Sequence, residues 1–297
     1  MKIQVRGALL FILGLFLFAC MDTTTKYLSA SYNVPMIVAF RYIGNALLMI
    51  LLFAPSHRRE LVHTERTGLV LLRALCLASA SLLVGLALQR MPVAETTSIT
   101  FIAPLIVVLL ARPMLGERIG LLGWAAVLVG FAGVMLIVRP GSGLNPVGVM
   151  LALTAVAANT GYQLLSRTLA DTERTIAMLF YTALFGSIAF GIALPWTLHG
   201  RAPSAFELLL FASLGVYGGL GHYLFTAAYN HAPASILAPM TYLQLLWAGL
   251  LSWAIFGYVP DGLTVLGMAT VTVSGVLIAL KSRNWKPRRE AARPLKG

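Results

Sequence analysis

The chain has 297 residues, of which 59% are hydrophobic and 11% charged, and its formal net charge is +12. A soluble protein of this length carries about a quarter of its residues charged, so the composition argues against one. The apolar residues occur in runs long enough for the ~20 residues with which a helix crosses a bilayer, which predicts an all-α integral membrane protein.

Ten apolar spans follow one another along the chain, separated by short segments rich in proline, glycine or charged residues. Because most of these connections are short, successive helices are expected to be antiparallel neighbours. The predicted transmembrane helices cover residues 7–27, 34–53, 68–88, 93–111, 120–138, 146–166, 176–196, 207–228, 234–256 and 262–280.

The basic residues predict the orientation of these helices. If the N-terminus is cytoplasmic, 17 of the 22 lysine and arginine residues face the cytoplasm, four face outward, and Arg41 lies within the second span. This bias follows the positive-inside rule. We therefore expect both termini in the cytoplasm, and the basic charge requires no nucleic-acid partner.

Short similarities recur between the two halves of the chain. Residues 89–94 resemble residues 230–235, at an offset of 141. We predict a first five-helix repeat at 1–140 and a second at 141–281, followed by a basic cytoplasmic tail at 282–297. Because five is odd, the second repeat would be inverted relative to the first, as in many secondary transporters.

Several charged residues fall inside or near the apolar spans, where each charge costs at least about 2.5 kcal/mol without a partner or water. Asp22 and Lys26 are four residues apart with the acid first, the favourable order for a pair. With Arg41 and Glu95 they are predicted to form one ionic cluster near the outer surface. This cluster either pins three helices together or separates as an extracellular gate. Arg73 is expected to reach interfacial water at the cytoplasmic face.

Neutral polar and aromatic residues mark a candidate cavity. Amides bind both carboxylates and ammonium groups, and aromatic rings stack or make cation–π contacts. The alternative is that these side chains form interhelical hydrogen bonds and ordinary packing. The predicted substrate-binding residues are Ser79, Phe101, Asn159, Tyr162, Gln163, His222, Tyr242, Gln244 and Trp247.

Three further features bear on proton uptake, hinge motion and helix packing. His222 either takes up a proton near neutral pH or makes one neutral hydrogen bond to a neighbouring helix. Pro104 and Pro239 lie inside the fourth and ninth spans, where proline commonly kinks a helix, so we predict a hinge at one of them. Gly215 and Gly219 form a small-xxx-small pair that permits close helix approach or leaves space beside a substrate.

The order of motifs along the ten spans resembles that of the EamA-type drug/metabolite transporters, and especially the bacterial amino-acid and metabolite exporters. The resemblance implies alternating access through a central cavity, with the fifth and tenth helices peripheral. The chain departs from the family pattern in lacking the first-helix tryptophan and in having Tyr258 as the counterpart of Glu117. The matching residues are Asp22 and Lys26 in the first span, Pro35, Phe40 and Arg41 in the second, Met91 and Pro92 opening the fourth, Leu115, Gly116 and Glu117 after it, and Gly133 and Val134 in the fifth.

No Walker-type phosphate loop and no HExxH, CxxC or GxSxG motif occurs, so we expect neither an enzyme nor a bound cofactor or metal. We predict a secondary transporter of the bacterial cytoplasmic (inner) membrane that exports small metabolites, including aromatic amino acids. The alternatives are a drug or quaternary-cation exporter, an importer, a channel or scaffold, and a membrane-embedded lipid enzyme. The expected partners are a small-molecule substrate and the lipid bilayer, with the protein acting as a monomer.

Overall fold

The chain folds as a bundle of α-helices, with no strand among the residues described. A computed structural model describes residues 2–103, 105–107, 109–110, 121–139, 143–169, 172–197, 202–228, 231 and 240–283. Its helices are α1 Lys2–Ser29, α2 Val34–Val62, α3 Thr67–Arg90, α4 Val93–Thr100, α5 Leu121–Val138, α6 Pro146–Leu169, α7 Thr175–Thr197, α8 Ala205–Ala228, α9 Leu243–Phe256 and α10 Gly262–Arg283.

Six of these helices are long and apolar enough to cross a membrane. Their apolar stretches have 19 to 24 residues, and shorter apolar stretches occur in α4, α5, α9 and α10. Leu51, Trp196 and Leu209 are between 70% and 74% exposed on the outside of the bundle. Such an apolar exterior is suited to lipid, so the protein is a multi-pass membrane protein, and ten crossings stay a prediction.

The main helix contacts join the first half of the chain to the second. The most extensive pairings are α1 with α8, α2 with α7, α3 with α6, and α5 with α10. If the halves are repeats, α1 to α5 correspond in order to α6 to α10. Exchanging each helix for its counterpart turns the α1–α8 pairing into the α3–α6 pairing and leaves the α2–α7 and α5–α10 pairings unchanged. This pattern is the one that two repeats related by a twofold axis would produce.

Glycine permits close helix approach at two crossings. A Cβ on Gly215 of α8 would lie 2.6 Å from Cα of Gly44 on α2. A Cβ on Gly267 of α10 would lie 2.6 Å from the carbonyl oxygen of Gly133 on α5. Backbone therefore touches backbone at both crossings, as in glycine-mediated packing of membrane helices.

The fourth and ninth predicted spans are not continuous α-helices. Regular hydrogen bonding is interrupted at Phe101 and Ile102, where the Ile102 amide donates to Ile99 at 3.1 Å. The second interruption is at Thr241 and Tyr242, where the Gln244 amide donates to Thr241 at 3.1 Å. These bonds reach back three residues, which tightens the helix locally. The predicted hinges Pro104 and Pro239 lie outside the described residues.

Helix α2 extends about nine residues beyond its predicted end at residue 53. Its apolar stretch stops at Leu52, and the polar continuation reaches Glu60, whose carboxylate accepts from Arg174 at 2.6 Å. A helix does not have to end where its apolar stretch ends, since its backbone bonds are internal. The apolar pattern therefore predicted the membrane segment rather than the helix.

Candidate functional site

A central cavity of about 230 Å³ lies between helices of both halves of the chain. Its lining combines a few polar groups with an apolar wall, which is typical of small-molecule sites. The polar lining residues are Asp22, Arg41, Tyr42, Asn45, Ser81, Thr100, Asn159, Thr182, His222 and Gln244, and the apolar ones include Phe18, Met21, Leu77, Val84 and Leu179.

Asp22 is the acidic residue among the described residues that line this cavity. The nearby Thr23 and Thr25 hydroxyls donate to the carbonyl oxygens of Ala19 and Met21, one turn earlier in α1, each at 2.8 Å. These bonds satisfy the threonines within α1. The Asp22 carboxylate interacts instead with the Arg41 guanidinium and the Gln244 side chain, from α2 and α9.

Arg41 is held from several sides. Its guanidinium carbon lies 5.0 Å from the centre of the Tyr42 ring, and Nη1 lies 3.9 Å from Sδ of Met21. A Cβ on Gly218 would lie 3.8 Å from Cγ of Arg41, so the arginine stem passes close to α8. The cavity thus presents a guanidinium and a carboxyl group, which can bind opposite ends of a zwitterion.

The predicted ionic cluster is divided into two groups. The Lys26 ammonium does not pair with Asp22 but donates to the carbonyl oxygens of Leu88 at 2.9 Å and Met91 at 2.7 Å. Carbonyls at a helix C-terminus attract cations, and these lie at the end of α3. Asp22 and Arg41 line the cavity, whereas Lys26 lies in the field of Glu95.

Glu95 is 1% exposed and lies in the first turn of α4. Its Oε1 accepts from the Tyr258 hydroxyl at 2.6 Å, and Oε2 has no hydrogen-bond partner among the residues described. Gly257, with φ of +65°, ends α9 in the left-handed conformation and directs the chain toward Glu95. Burial, followed by the bond to Glu95, raises the pKa of Tyr258, so the phenol stays protonated and donates.

Replacing Tyr258 by Phe is expected to lower the free energy of unfolding by about 1–2 kcal/mol. The reason is that the buried Glu95 carboxylate would lose the partner of Oε1 while Oε2 already has none. Thermal unfolding in detergent measures the loss. Tyr27→Phe is the control, because Tyr27 is 44% exposed at the surface. An unchanged transition for Tyr258→Phe would show that the bond contributes nothing.

Three of the nine predicted lining residues, Asn159, His222 and Gln244, line the central cavity. The His222 ring meets Phe18 edge-on, with ring centres 4.8 Å apart. Phe101 and Tyr242 instead pack against each other at the two helix interruptions, with ring centres 5.2 Å apart.

The remaining predicted lining residues lie elsewhere. Tyr162 accepts a hydrogen bond from Arg73 at 2.9 Å, and Trp247 packs edge-on against Phe16 at 5.2 Å between ring centres. Ser79 and Gln163 are not among the described residues that line the cavity. Helical spacing placed each of these side chains on a face but did not indicate which neighbour that face meets.

Arg73 does not reach interfacial water, contrary to the expectation from its place in the chain. It is 4% exposed, because the start of α3 is covered by α6 and α7. Its guanidinium donates to Ser166 at 2.7 Å and to Thr182, a lining residue of the cavity, at 3.0 Å. No pattern in the sequence distinguished this arginine from those that flank the membrane.

A second cavity of about 220 Å³ adjoins the first. Asn45, Leu179 and His222 line both cavities and therefore form the wall between them. The second cavity extends between α2, α7 and α8 to Leu52 and Thr175, at the end of the bundle predicted to be cytoplasmic. Its lining is mostly apolar.

The chain resembles known transporters over nearly its whole length. The sequence profile of the EamA-like transporter family matches residues 5–139 and again residues 146–280. The S-adenosylmethionine uptake transporter of Rickettsia prowazekii is 27% identical, over 95% of each chain. The pseudopaline exporter of Pseudomonas aeruginosa is 29% identical, over 92% of this chain and 95% of that one. The riboflavin transporter of Rhizobium johnstonii is 28% identical, over 97% and 95%.

A solved structure has the same fold. One crystal structure covers 95% of this chain and 98% of its own, with a TM-score of 0.67 and 19% sequence identity.

Proposed function

This chain belongs to the EamA-like transporter family, and from that membership we propose that it is a secondary transporter that exports small zwitterionic metabolites, foremost amino acids. It acts by alternating access through the central cavity, as a monomer in the bacterial cytoplasmic membrane. Its two halves, at 1–140 and 141–281, are inverted five-helix repeats, and the paired family match and the paired helix contacts support this arrangement.

The observation that carries the proposal is the combination of Asp22, Arg41 and Gln244 in one cavity between the halves. Asp22 offers a partner for the ammonium group of a zwitterion, and Arg41 offers one for its carboxylate. A cavity of about 230 Å³ suits a small metabolite better than a drug-sized ligand, whose pockets measure about 300–1,000 Å³.

The names of the relatives do not decide the direction of transport, since one is an uptake transporter and another an exporter. The second cavity gives a cytoplasmic substrate a route toward Asn45, Leu179 and His222, as export requires. Uptake is the alternative, and it uses the same cavity.

The group formed by Lys26, Glu95 and Tyr258 is proposed as the closed outer gate. It lies at the end of the bundle opposite the second cavity, and it links α1 to the end of α3 and α4 to the segment that follows α9. In a transporter with alternating access, contacts of this kind must break when the site opens outward.

Counterflow in proteoliposomes tests the proposed function. Vesicles preloaded with unlabelled phenylalanine or threonine, or with a quaternary cation, are diluted into the labelled compound, with and without a pH gradient. We expect saturable, transient accumulation of an amino acid above that in protein-free vesicles. Counterflow also separates a carrier from a channel, because a channel gives no transient overshoot.

Absence of counterflow for both amino acids would overturn the amino-acid proposal, and accumulation of the cation alone would favour a cation exporter. Direction is tested separately in cells. Deletion of the gene is expected to raise the intracellular pool of the transported amino acid, whereas an importer would lower the uptake of the labelled compound.

A further inference from the structure

Arg73 is a buried cation whose partners are all neutral. Besides Ser166 and Thr182, its guanidinium donates to the Met178 carbonyl oxygen at 3.2 Å and to the Tyr162 hydroxyl at 2.9 Å. The guanidinium carbon also lies 4.4 Å from the centre of the Tyr162 ring. No carboxylate of the described residues forms an ion pair with it. These contacts satisfy its hydrogen-bonding capacity in large part but leave its charge uncompensated.

An uncompensated charge is costly in a membrane interior. Neutral hydrogen bonds replace part of the lost hydration, yet buried charges in proteins are normally paired or lie beside water. Ionisable residues within the membrane-spanning part of a protein commonly mark a pathway for a substrate or an ion. The contacts of Arg73 hold three helices together, but all four acceptors are neutral, so they do not balance its charge.

Arg73 lies directly behind the wall of the central cavity. Its Nη1 contacts the Thr182 hydroxyl, and Thr182 lines the cavity. The charges of both Arg41 and Arg73 act on His222, another lining residue. Among the described residues, two guanidinium groups therefore act on a cavity that is lined by one carboxylate, that of Asp22.

We propose that Arg73 determines the charge class of the substrate: the cavity takes a metabolite with a carboxylate, which supplies the negative charge that the lining lacks. This inference rests on the proposed function and narrows it. A substrate with an amino group and a carboxylate places its ammonium group by Asp22 and its carboxylate toward the two arginines. Cations without a carboxylate are disfavoured, which opposes a quaternary-cation exporter.

Paired ligands test this charge rule. Binding of phenylalanine, threonine and methionine, and of the amide of each, is measured on purified protein by competition and by thermal shift. Each amide preserves the side chain and the amino group but lacks the carboxylate. We expect the wild-type protein to bind at least one acid about tenfold or more tightly than its amide.

Three variants separate charge from structure. In Arg73→Gln the preference for acid over amide is expected to fall severalfold, because Arg41 alone then faces the substrate carboxylate, whereas Arg73→Lys keeps the charge and most of the preference. Ser166→Ala removes a hydrogen bond of Arg73 but not its charge, so its preference should equal that of the wild type. A ratio of two affinities does not depend on the fraction of folded protein, so partial misfolding leaves the readout valid.

Equal affinity of the wild-type protein for acid and amide, or binding of none of the three acids, would overturn the inference. An undiminished preference in Arg73→Gln would do so too. If Arg73→Gln cannot be purified, the same ratio is measured in Arg73→Met, which also removes the charge. Acid-selective binding without counterflow would contradict the proposed transport but support the charge rule. Counterflow without acid selectivity would support transport but contradict the charge rule.

Discussion

Replacing Asp22 by Asn is expected to lower the rate of amino-acid counterflow at least about 30-fold. Asp22 is the acidic group of the described cavity lining, and it faces Arg41 and Gln244. Loss of a buried charged group that a bound partner requires typically costs about 2 kcal/mol or more. Without this carboxylate, the substrate ammonium group has no partner and two guanidinium groups lack a counter-charge. Initial rates in proteoliposomes measure the effect.

Asp261→Asn is the matched control. Asp261 is 53% exposed, pairs with Arg139, and accepts the Thr264 amide at 2.8 Å at the start of α10. That backbone hydrogen bond, the main cause, lowers the pKa of Asp261, and asparagine can also cap a helix. We expect less than a twofold change, since exposed pairs contribute little. Wild-type counterflow by Asp22→Asn, or equal losses in both variants, would contradict the cavity assignment.

Gly215→Ala is expected to lower the free energy of unfolding by about 3 kcal/mol, the upper end for overpacking. The added Cβ would lie 2.6 Å from Gly44 Cα and 2.7 Å from its carbonyl carbon. Both atoms belong to the backbone, so no side chain can rotate away, and α2 and α8 must separate. Unfolding in detergent and the yield of folded protein measure the loss.

Gly249→Ala adds the same methyl group to α9, where no atom of the described residues lies within 4 Å of the new Cβ. Alanine has the higher helix propensity, so this control should be neutral or slightly stabilising. If Gly215→Ala unfolds like the wild-type protein, the close contact between α2 and α8 does not exist in the native membrane protein.

The sequence predicted the properties that depend on composition and local pattern. Apolar runs indicated a helical membrane protein, and the motif order indicated the family to which the profile match assigns the chain. The glycine pair at Gly215 and Gly219 correctly suggested close approach, because only small residues let helix backbones touch. These predictions succeeded because each rests on neighbours along the chain.

Side-chain partners were predicted less well. Asp22 and Lys26 have the spacing of an ion pair, but Lys26 instead binds carbonyl oxygens more than 60 residues away in the sequence, at the end of α3. A long side chain takes the strongest acceptor within reach, and helix packing determines which acceptors are in reach. The same holds for Tyr162, predicted to line the cavity and found bound to Arg73.

The sequence by itself thus determined that this protein is helical, enters a membrane and belongs to a transporter family, since hydropathy and motif order are properties of the chain. Only the tertiary structure brought Asp22, Arg41, Asn159, His222 and Gln244 to one cavity and placed Arg73 behind its wall. The physical reason is that a cavity exists between helices, so its lining depends on how their faces pack and not on any one face alone.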